Sequence, residues 1–401
     1  MHIPFCLAKK CLYCDFVSMP YSPPVAQRYL GALSREIALL KEAGDFLAGP
    51  QDKLAVKSLF IGGGTPTVLE TRQLEELLDL LGKNFVFQQG SGVGAGAGAE
   101  VTIEVNPATI DTEKSSTLLK GGVNRISIGV QSFSGPELKT LGRLHTSRDA
   151  LDAVKTVKDA GFENISIDLI YGIPGQRVED WRRTLETALA LGVRHVSAYE
   201  LTLEEHTPLS GLVEKGALRM PEEDEVVRLY FLAEEMLEAA GFVHYEVSNY
   251  ALAGRESLHN LNYWRRGEYL GLGAAAHSFK RASQRFFSTE GAPRNGKRWK
   301  NADGIFRYMD LLEKDVLPAE EIFLLTPEEE KREFVFLGLR TREGISVSDG
   351  RDLFGPDMEK EAGLLVKEGL LEMSRGFIRA SRAGFPVLDA IILRLLAGLG
   401  L

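Results

Sequence analysis

HIPFCLAKKCLYCDF, residues 2–16, contains Cys6, Cys11 and Cys14, which are all three cysteines of a 401-residue chain. A thiol that merely fills core volume behaves as a small apolar residue, and such residues scatter along a sequence. Three thiols in one loop, with no fourth to complete two pairs, suit an iron–sulfur cluster better than disulfides. A [4Fe-4S] cluster held by three thiolates keeps one iron open to a non-protein ligand. The alternative is zinc held by the three cysteines and His2. Zinc motifs of that kind bring a second ligand pair roughly 12–20 residues away, and none follows here.

Outward from this loop, strand-like runs at 58–61, 101–105, 125–130, 165–170 and 195–201 alternate with helical patterns at 26–41, 71–81, 111–120, 147–160 and 178–191. Gly121-Gly122, Gly161 and Gly192 stand near the ends of the last three helices, where C-terminal caps belong. Repeated strand–helix units predict an α/β fold with a parallel sheet, doubly wound or closed towards a barrel. In such barrels functional residues gather at the C-terminal ends of the strands. Gly62 to Thr65, Glu104, Gln131 and Asp168 are each expected at a strand end.

Residues 90–99 (GSGVGAGAGA) read as a flexible surface insertion. From Pro221 the pattern changes to a helix at 224–240, a short strand at 243–247 and a polar, aromatic-rich stretch. Three segments are expected: a barrel at 1–220, an extension at 221–305 and a mainly helical domain at 306–401.

A net charge of −9 argues against nucleic acid as a partner, because phosphate binding shows as a basic excess. Clustered thiols without disulfide pairs point to the reducing cytoplasm. Met1 to Pro4 lacks the marks of a signal peptide, and the apolar run at 390–401 is too short to span a bilayer. Contact with a membrane surface stays open. GLGAAA (271–276) lacks the strand–helix context of a dinucleotide fingerprint, and RNGKRWK (294–300) reads as a solvated basic run.

The cysteine loop resembles that of radical S-adenosylmethionine (SAM) proteins, specifically the group holding oxygen-independent coproporphyrinogen III oxidases and HemW-type heme chaperones. The match continues in order through IGGGTPT (61–67), IEVNP (103–107), RISIGVQSF (125–133), LGRLHT (141–146), IDLIYGIPGQ (167–176), YELTLEEHTPL (199–209), YEVSNYA (245–251) and HNLNYW (259–264). The resemblance implies a partial (β/α)6 barrel with a smaller, winged-helix-like C-terminal domain. Cys6, Cys11 and Cys14 would hold a [4Fe-4S] cluster, and SAM would chelate its open iron through amino and carboxylate groups. One electron would then break a sulfonium bond and leave a 5′-deoxyadenosyl radical, the protein supplying position and shelter.

By the same resemblance, the backbone of Gly63, Gly64 and Thr65 approaches the SAM ammonium. Glu104 and Gln131 accept from its amino group or ribose hydroxyls, and Arg143 forks its carboxylate. Asp168 lies near the adenosine, and Tyr13 stacks on the adenine or covers the cluster. HNLNYW is linked in the chaperone branch to heme binding, which makes His259 the candidate iron ligand, with His145 and His277 as the other imidazoles to weigh. An oxidase of this group carries a further cysteine two positions after the third; this chain has Phe16. The expectation is therefore a heme chaperone that delivers heme to a recipient hemoprotein, such as a membrane cytochrome, and takes electrons from a donor protein. The oxidase is the runner-up. Two departures from the group's pattern stand out: four residues instead of three between Cys6 and Cys11, and Met1 directly before HIPFC where relatives carry a strand with a tyrosine.

Overall fold

The computed structural model describes residues 1–8, 11–44, 53–87, 98–281 and 296–401. Its main sheet contains β1 (His2–Ile3), β2 (Ser58–Gly63), β3 (Glu100–Val105), β4 (Arg125–Gln131), β5 (Ile165–Tyr171), β6 (His195–Glu200), β7 (Val243–Glu246) and β8 (Asn249–Ala251). The spatial order is β1-β2-β3-β4-β5-β6-β8-β7. The first six strands are parallel neighbours in chain order, the arrangement of an open β/α barrel. The antiparallel hairpin β7–β8 then extends the edge of β6.

A period-two division of labour runs through these strands. Leu59, Ile61, Val101, Ile103, Ile126, Ile128, Ile167 and Leu169 are buried in one core with Leu33, Leu77, Leu118, Val157, Trp181 and Leu185 of the helices. Each such side chain removed from water contributes about 1.5–3 kcal/mol, so this strand–helix layer carries most of the stability. The alternate positions are polar or small with the one exception of Phe60: Ser58 and Gly62; Glu100, Thr102 and Glu104; Arg125, Ser127, Gly129 and Gln131; Ser166 and Asp168; His195, Ser197 and Tyr199. Function is drawn from this second face.

The connecting helices are α1 (Pro23–Ala43), α2 (Thr71–Asn84), α3 (Thr112–Lys120), α4 (Ser147–Asp159) and α5 (Val178–Ala190). Gly122, Gly161 and Gly192 all take positive φ (89°, 107° and 59°), as their capping places demand. Asp168 departs from expectation. It is the fourth of seven residues in β5, not the last, because the strand runs on to Tyr171 to stay paired with β6. Asp168 therefore sits beside Gly129 and Ser197, one layer below Gln131.

Beyond the barrel come α6 (Glu223–Ala239) and the short α7 (Leu258–Trp264), which carries HNLNYW. An antiparallel sheet of His277–Lys280, Lys297–Asn301 and Ala319–Leu324 follows. Helix α8 (Ile305–Leu312) is locked to α1, with the Tyr308 hydroxyl donating to the buried Glu36 Oε2 at 2.6 Å and the Tyr29 and Tyr308 rings 5.2 Å apart. The last unit reads α9 (Pro327–Gly338), strand Ile345–Ser346, α10 (Val347–Phe354), α11 (Asp357–Lys367), hairpin Leu371–Ser374 and Phe377–Ala380, then α12 (Leu388–Gly398). The strand joins the hairpin in one small sheet, which gives a winged-helix order. No helix among the described residues is long and apolar enough to cross a membrane. Of the stretch 90–99 only Gly98 and Ala99 are described, and Arg294 and Asn295 of the basic run also lie outside the described residues.

Candidate functional site

The cysteine loop is seated by backbone pairing with three of the sequence blocks. The Thr65 N–H donates to Phe5 O at 2.6 Å and Gly64 N–H to Ile3 O at 3.0 Å. Leu12 N–H donates to Leu141 O at 3.0 Å, and Leu209 N–H donates to Leu12 O at 2.8 Å. The glycines of IGGGTPT make this approach possible. A Cβ on Gly64 would lie 2.5 Å from Phe5 O, and one on Gly63, whose φ is +111°, would lie 1.7 Å from the His2 ring. Gly64→Ala is expected to cost about 2–4 kcal/mol or to push the loop outward. Thermal melting and the iron content after anaerobic reconstitution would show which.

Above the strand ends, a cleft of about 180 Å³ collects Cys6, Cys11, Tyr13, Cys14, Gly63, Gly64, Thr65, Glu104, Gln131, Arg143 and Asp168 on one wall-to-wall surface. Residues from six separate blocks thus meet where the barrel rule places them. Gly63 N–H donates to Glu104 Oε2 at 2.9 Å. Burial, and next the Asp168 carboxylate, hold the Glu104 carboxyl up at about 7. Burial likewise raises Asp168, against a hydrogen bond from Ser197. Arg143 donates from Nη2 to Gly129 O at 2.6 Å and from Nη1 to Cys11 Sγ at 3.4 Å, while its buried Nε has no hydrogen-bond partner among the described residues. The guanidinium therefore joins a candidate cluster ligand to the strand end.

Gln131 adopts φ +68° where the β4–β5 register shifts, a bulge that turns its amide into the cleft. Tyr199 donates its hydroxyl to Gln131 Oε1 at 2.8 Å, and Ser127 donates to Asp168 Oδ1 at 3.2 Å. Tyr199, Ser127 and Asn106 line the same cleft, and sequence reasoning missed them. The signal was available, because Ser127, Gly129 and Gln131 alternate along one strand as members of one face.

None of the three thiols is in a disulfide, and all three are half-buried. Among the described residues no three His, Cys, Asp or Glu side chains converge on a position for a single metal ion. His2, the fourth ligand of the zinc alternative, lies in β1 with Nδ1 against Ala274 O. Three soft thiols spread around one cleft, beside a guanidinium, fit a polynuclear cluster whose irons take one thiolate each.

His259 is not in this cleft. It opens α7 near the opposite end of β2, with Nδ1 3.1 Å from Ser58 Oγ and its ring stacked on Phe60 at 5.1 Å. Tyr263 closes its edge at 4.9 Å. Burial lowers this imidazole to about 3, so it is neutral at physiological pH. His259 instead lines a second, larger cleft of about 790 Å³, whose walls include Leu54, Val56, Phe85, Tyr269 and Leu272 with Lys57, Lys280 and Arg281. His145 is buried with Nε2 against Val130 O at 3.0 Å, and His277 begins the strand His277–Lys280.

The model of the Radical SAM superfamily matches residues 1–188, and that of the HemN C-terminal domain matches residues 325–387. The heme chaperone HemW of Bacillus subtilis is 35% identical over 392 residues, covering 96% of this chain and 95% of its own. The chain belongs to the HemW family. Its relatives there include HemW of Mycobacterium tuberculosis, 33% identical over 99% of this chain and 94% of that one. HemW of Escherichia coli is 37% identical over 69% of this chain and 68% of its own. The solved structure of coproporphyrinogen III oxidase (HemN) from Escherichia coli superposes with a TM-score of 0.76 at 23% identity, over 98% of this chain and 88% of that one. That likeness shows a shared fold. Membership of the HemW family, through the radical SAM superfamily, implies a [4Fe-4S] cluster and SAM.

Proposed function

We propose that the protein is a heme chaperone that binds heme through His259 and passes it to a recipient hemoprotein, a membrane cytochrome being one candidate. In this reading Cys6, Cys11 and Cys14 hold the [4Fe-4S] cluster, and SAM occupies the cleft at the strand ends. The observation that carries it is identity of 33–35% over nearly the whole chain with proteins named heme chaperones. The second cleft adds support, since it offers a neutral imidazole, apolar walls and cations, which suit an iron macrocycle bearing carboxylates.

When bound, the cluster and SAM supply one-electron chemistry; the chain's own residues bind and orient. Glu104 would accept from an N–H of the SAM amino group, Gln131 and Asp168 would face the ribose and adenosine, and Tyr13 would cover the site. Arg143, tied to Cys11, brings a positive charge towards the SAM carboxylate. The first segment, 1–220, carries this site, 221–305 carries the heme segment, and 306–401 packs against both.

The oxidase reading is weaker. Phe16 stands where an oxidase of this group carries a further cysteine, and Arg143 is the one cation among the described residues lining the SAM cleft, whereas its substrate has four propionates. Anaerobically reconstituted protein given SAM, a reductant and either heme or coproporphyrinogen decides between them. Heme binding and transfer without decarboxylation is expected; porphyrin turnover would overturn the proposal.

The Glu104 carboxyl also predicts a pH dependence. Its folded value of about 7 means that the anionic form, the one that accepts hydrogen bonds from the SAM amino group, dominates only above that pH. SAM affinity is expected to fall by about tenfold per pH unit below 7 and to level off above it. Glu104→Gln should weaken binding and flatten the profile, as read by equilibrium dialysis.

A further inference from the structure

The second cleft shows how His259 itself is held, and this inference rests on the reading of His259 as heme ligand. Three partners converge on it. Ser58 Oγ lies 3.1 Å from Nδ1, and Phe60, two residues on along the same face of β2, stacks on the ring with planes 19° apart. The third partner, Glu100, is buried at the start of β3 and is paired across the sheet with Ser58. It seats the whole first turn of α7. Its Oε1 accepts from Ser257 Oγ at 3.2 Å and from His259 N–H at 3.1 Å, and its Oε2 accepts from Leu258 N–H at 3.0 Å. A seven-residue helix is too short to hold its own shape in water, so its orientation is inherited from the sheet.

The two ring nitrogens of an imidazole are not equivalent once one of them is engaged. If Nδ1–H donates to Ser58 Oγ, the lone pair of Nε2 is left for iron. If the tautomer is reversed, Nε2 carries the proton and cannot ligate. A ligating histidine is normally fixed in this way by a partner on its other nitrogen. We propose that Ser58 is a positioning residue for heme: its hydroxyl accepts from His259 Nδ1–H, selects the Nε2-ligating tautomer and aims that nitrogen into the second cleft, on a helix seated by Glu100.

The test titrates ferric heme into the full chain carrying Ser58→Ala, Ser58→Thr, Ser58→Asp or His259→Ala. Visible and electron paramagnetic resonance spectra and the reduction potential of the bound heme are recorded, with thermal melting as a check on folding. Ser58→Ala is expected to bind heme about tenfold more weakly with a heterogeneous low-spin signal, and Ser58→Thr, which keeps the hydroxyl, to restore both. Ser58→Asp should shift the heme potential to more negative values, because a carboxylate acceptor makes the imidazole a stronger donor to ferric iron. A Ser58→Ala protein with unchanged affinity, signal and potential would overturn the proposal, and so would a Ser58→Thr protein as impaired as Ser58→Ala. His259→Ala separates the two levels of the argument. If that variant binds heme normally, the ligand assignment falls; if it loses heme while Ser58→Ala does not, only the role of Ser58 falls.

Discussion

His259→Ala is expected to abolish stable heme binding and leave the iron–sulfur chromophore intact. Loss of an outer partner of a metal-ligating histidine typically costs about 10- to 100-fold in affinity, so loss of the ligand itself should cost more. The separation of effects follows from topology. The residues lining the cleft around the cysteines and those lining the cleft around His259 do not overlap. The six residues of β2 that join the two levels span roughly 16–20 Å at about 3.3 Å per residue. The imidazole packs on Phe60 and Tyr263 without reaching any cysteine. Heme titration followed by its absorbance, together with iron and sulfide analysis of the same sample, checks both halves. A heme-competent His259→Ala protein would move the ligand elsewhere, with His277 the next imidazole to replace.

The reciprocal experiment has an equally large expected effect. Cys11→Ala, or the change of all three cysteines, should remove the brown chromophore and the SAM affinity while heme still binds through His259. A [4Fe-4S] cluster with three thiolates has none to spare. Cys11 is the thiol bonded to Arg143, so its loss also frees the guanidinium on that wall of the cleft. The four residues between Cys6 and Cys11 do not prevent all three cysteines from lining the cleft. Anaerobic reconstitution with absorbance and iron counting gives the readout. If the cysteine variants lost heme and cluster together, the two clefts would be one functional unit and the separation argued here would fail.

Much of this protein could be read from residues 2–16 and the strand–helix rhythm that follows. Parallel strands buried by helices are written as local apolar runs, and Gly122, Gly161 and Gly192 mark helix ends because few other residues tolerate positive φ. The thiols were nameable from their spacing alone, whereas the glycine run, Glu104, Gln131 and Arg143 were named through the resemblance of their blocks to the family, since each taken singly reads as an ordinary turn or a solvated polar residue at a strand end. Asp168 was placed one layer too high, since strand length is decided by pairing with β6 and not by β5 alone. Tyr199 and Ser127 escaped notice because a lone polar residue in a strand looks like surface until the sheet curls and turns it inward.

The chain's order of residue types was enough to point to a thiol cluster site, a parallel α/β scaffold and a histidine segment worth testing, because those depend on neighbours within a few positions. Which end of the barrel receives each segment was decided by folding alone. Glu100 and Ser257 are 157 residues apart, and Ser58 and His259 are 201 apart. Contacts of that separation arise from the register of strands and the packing of a short helix, which no local pattern encodes.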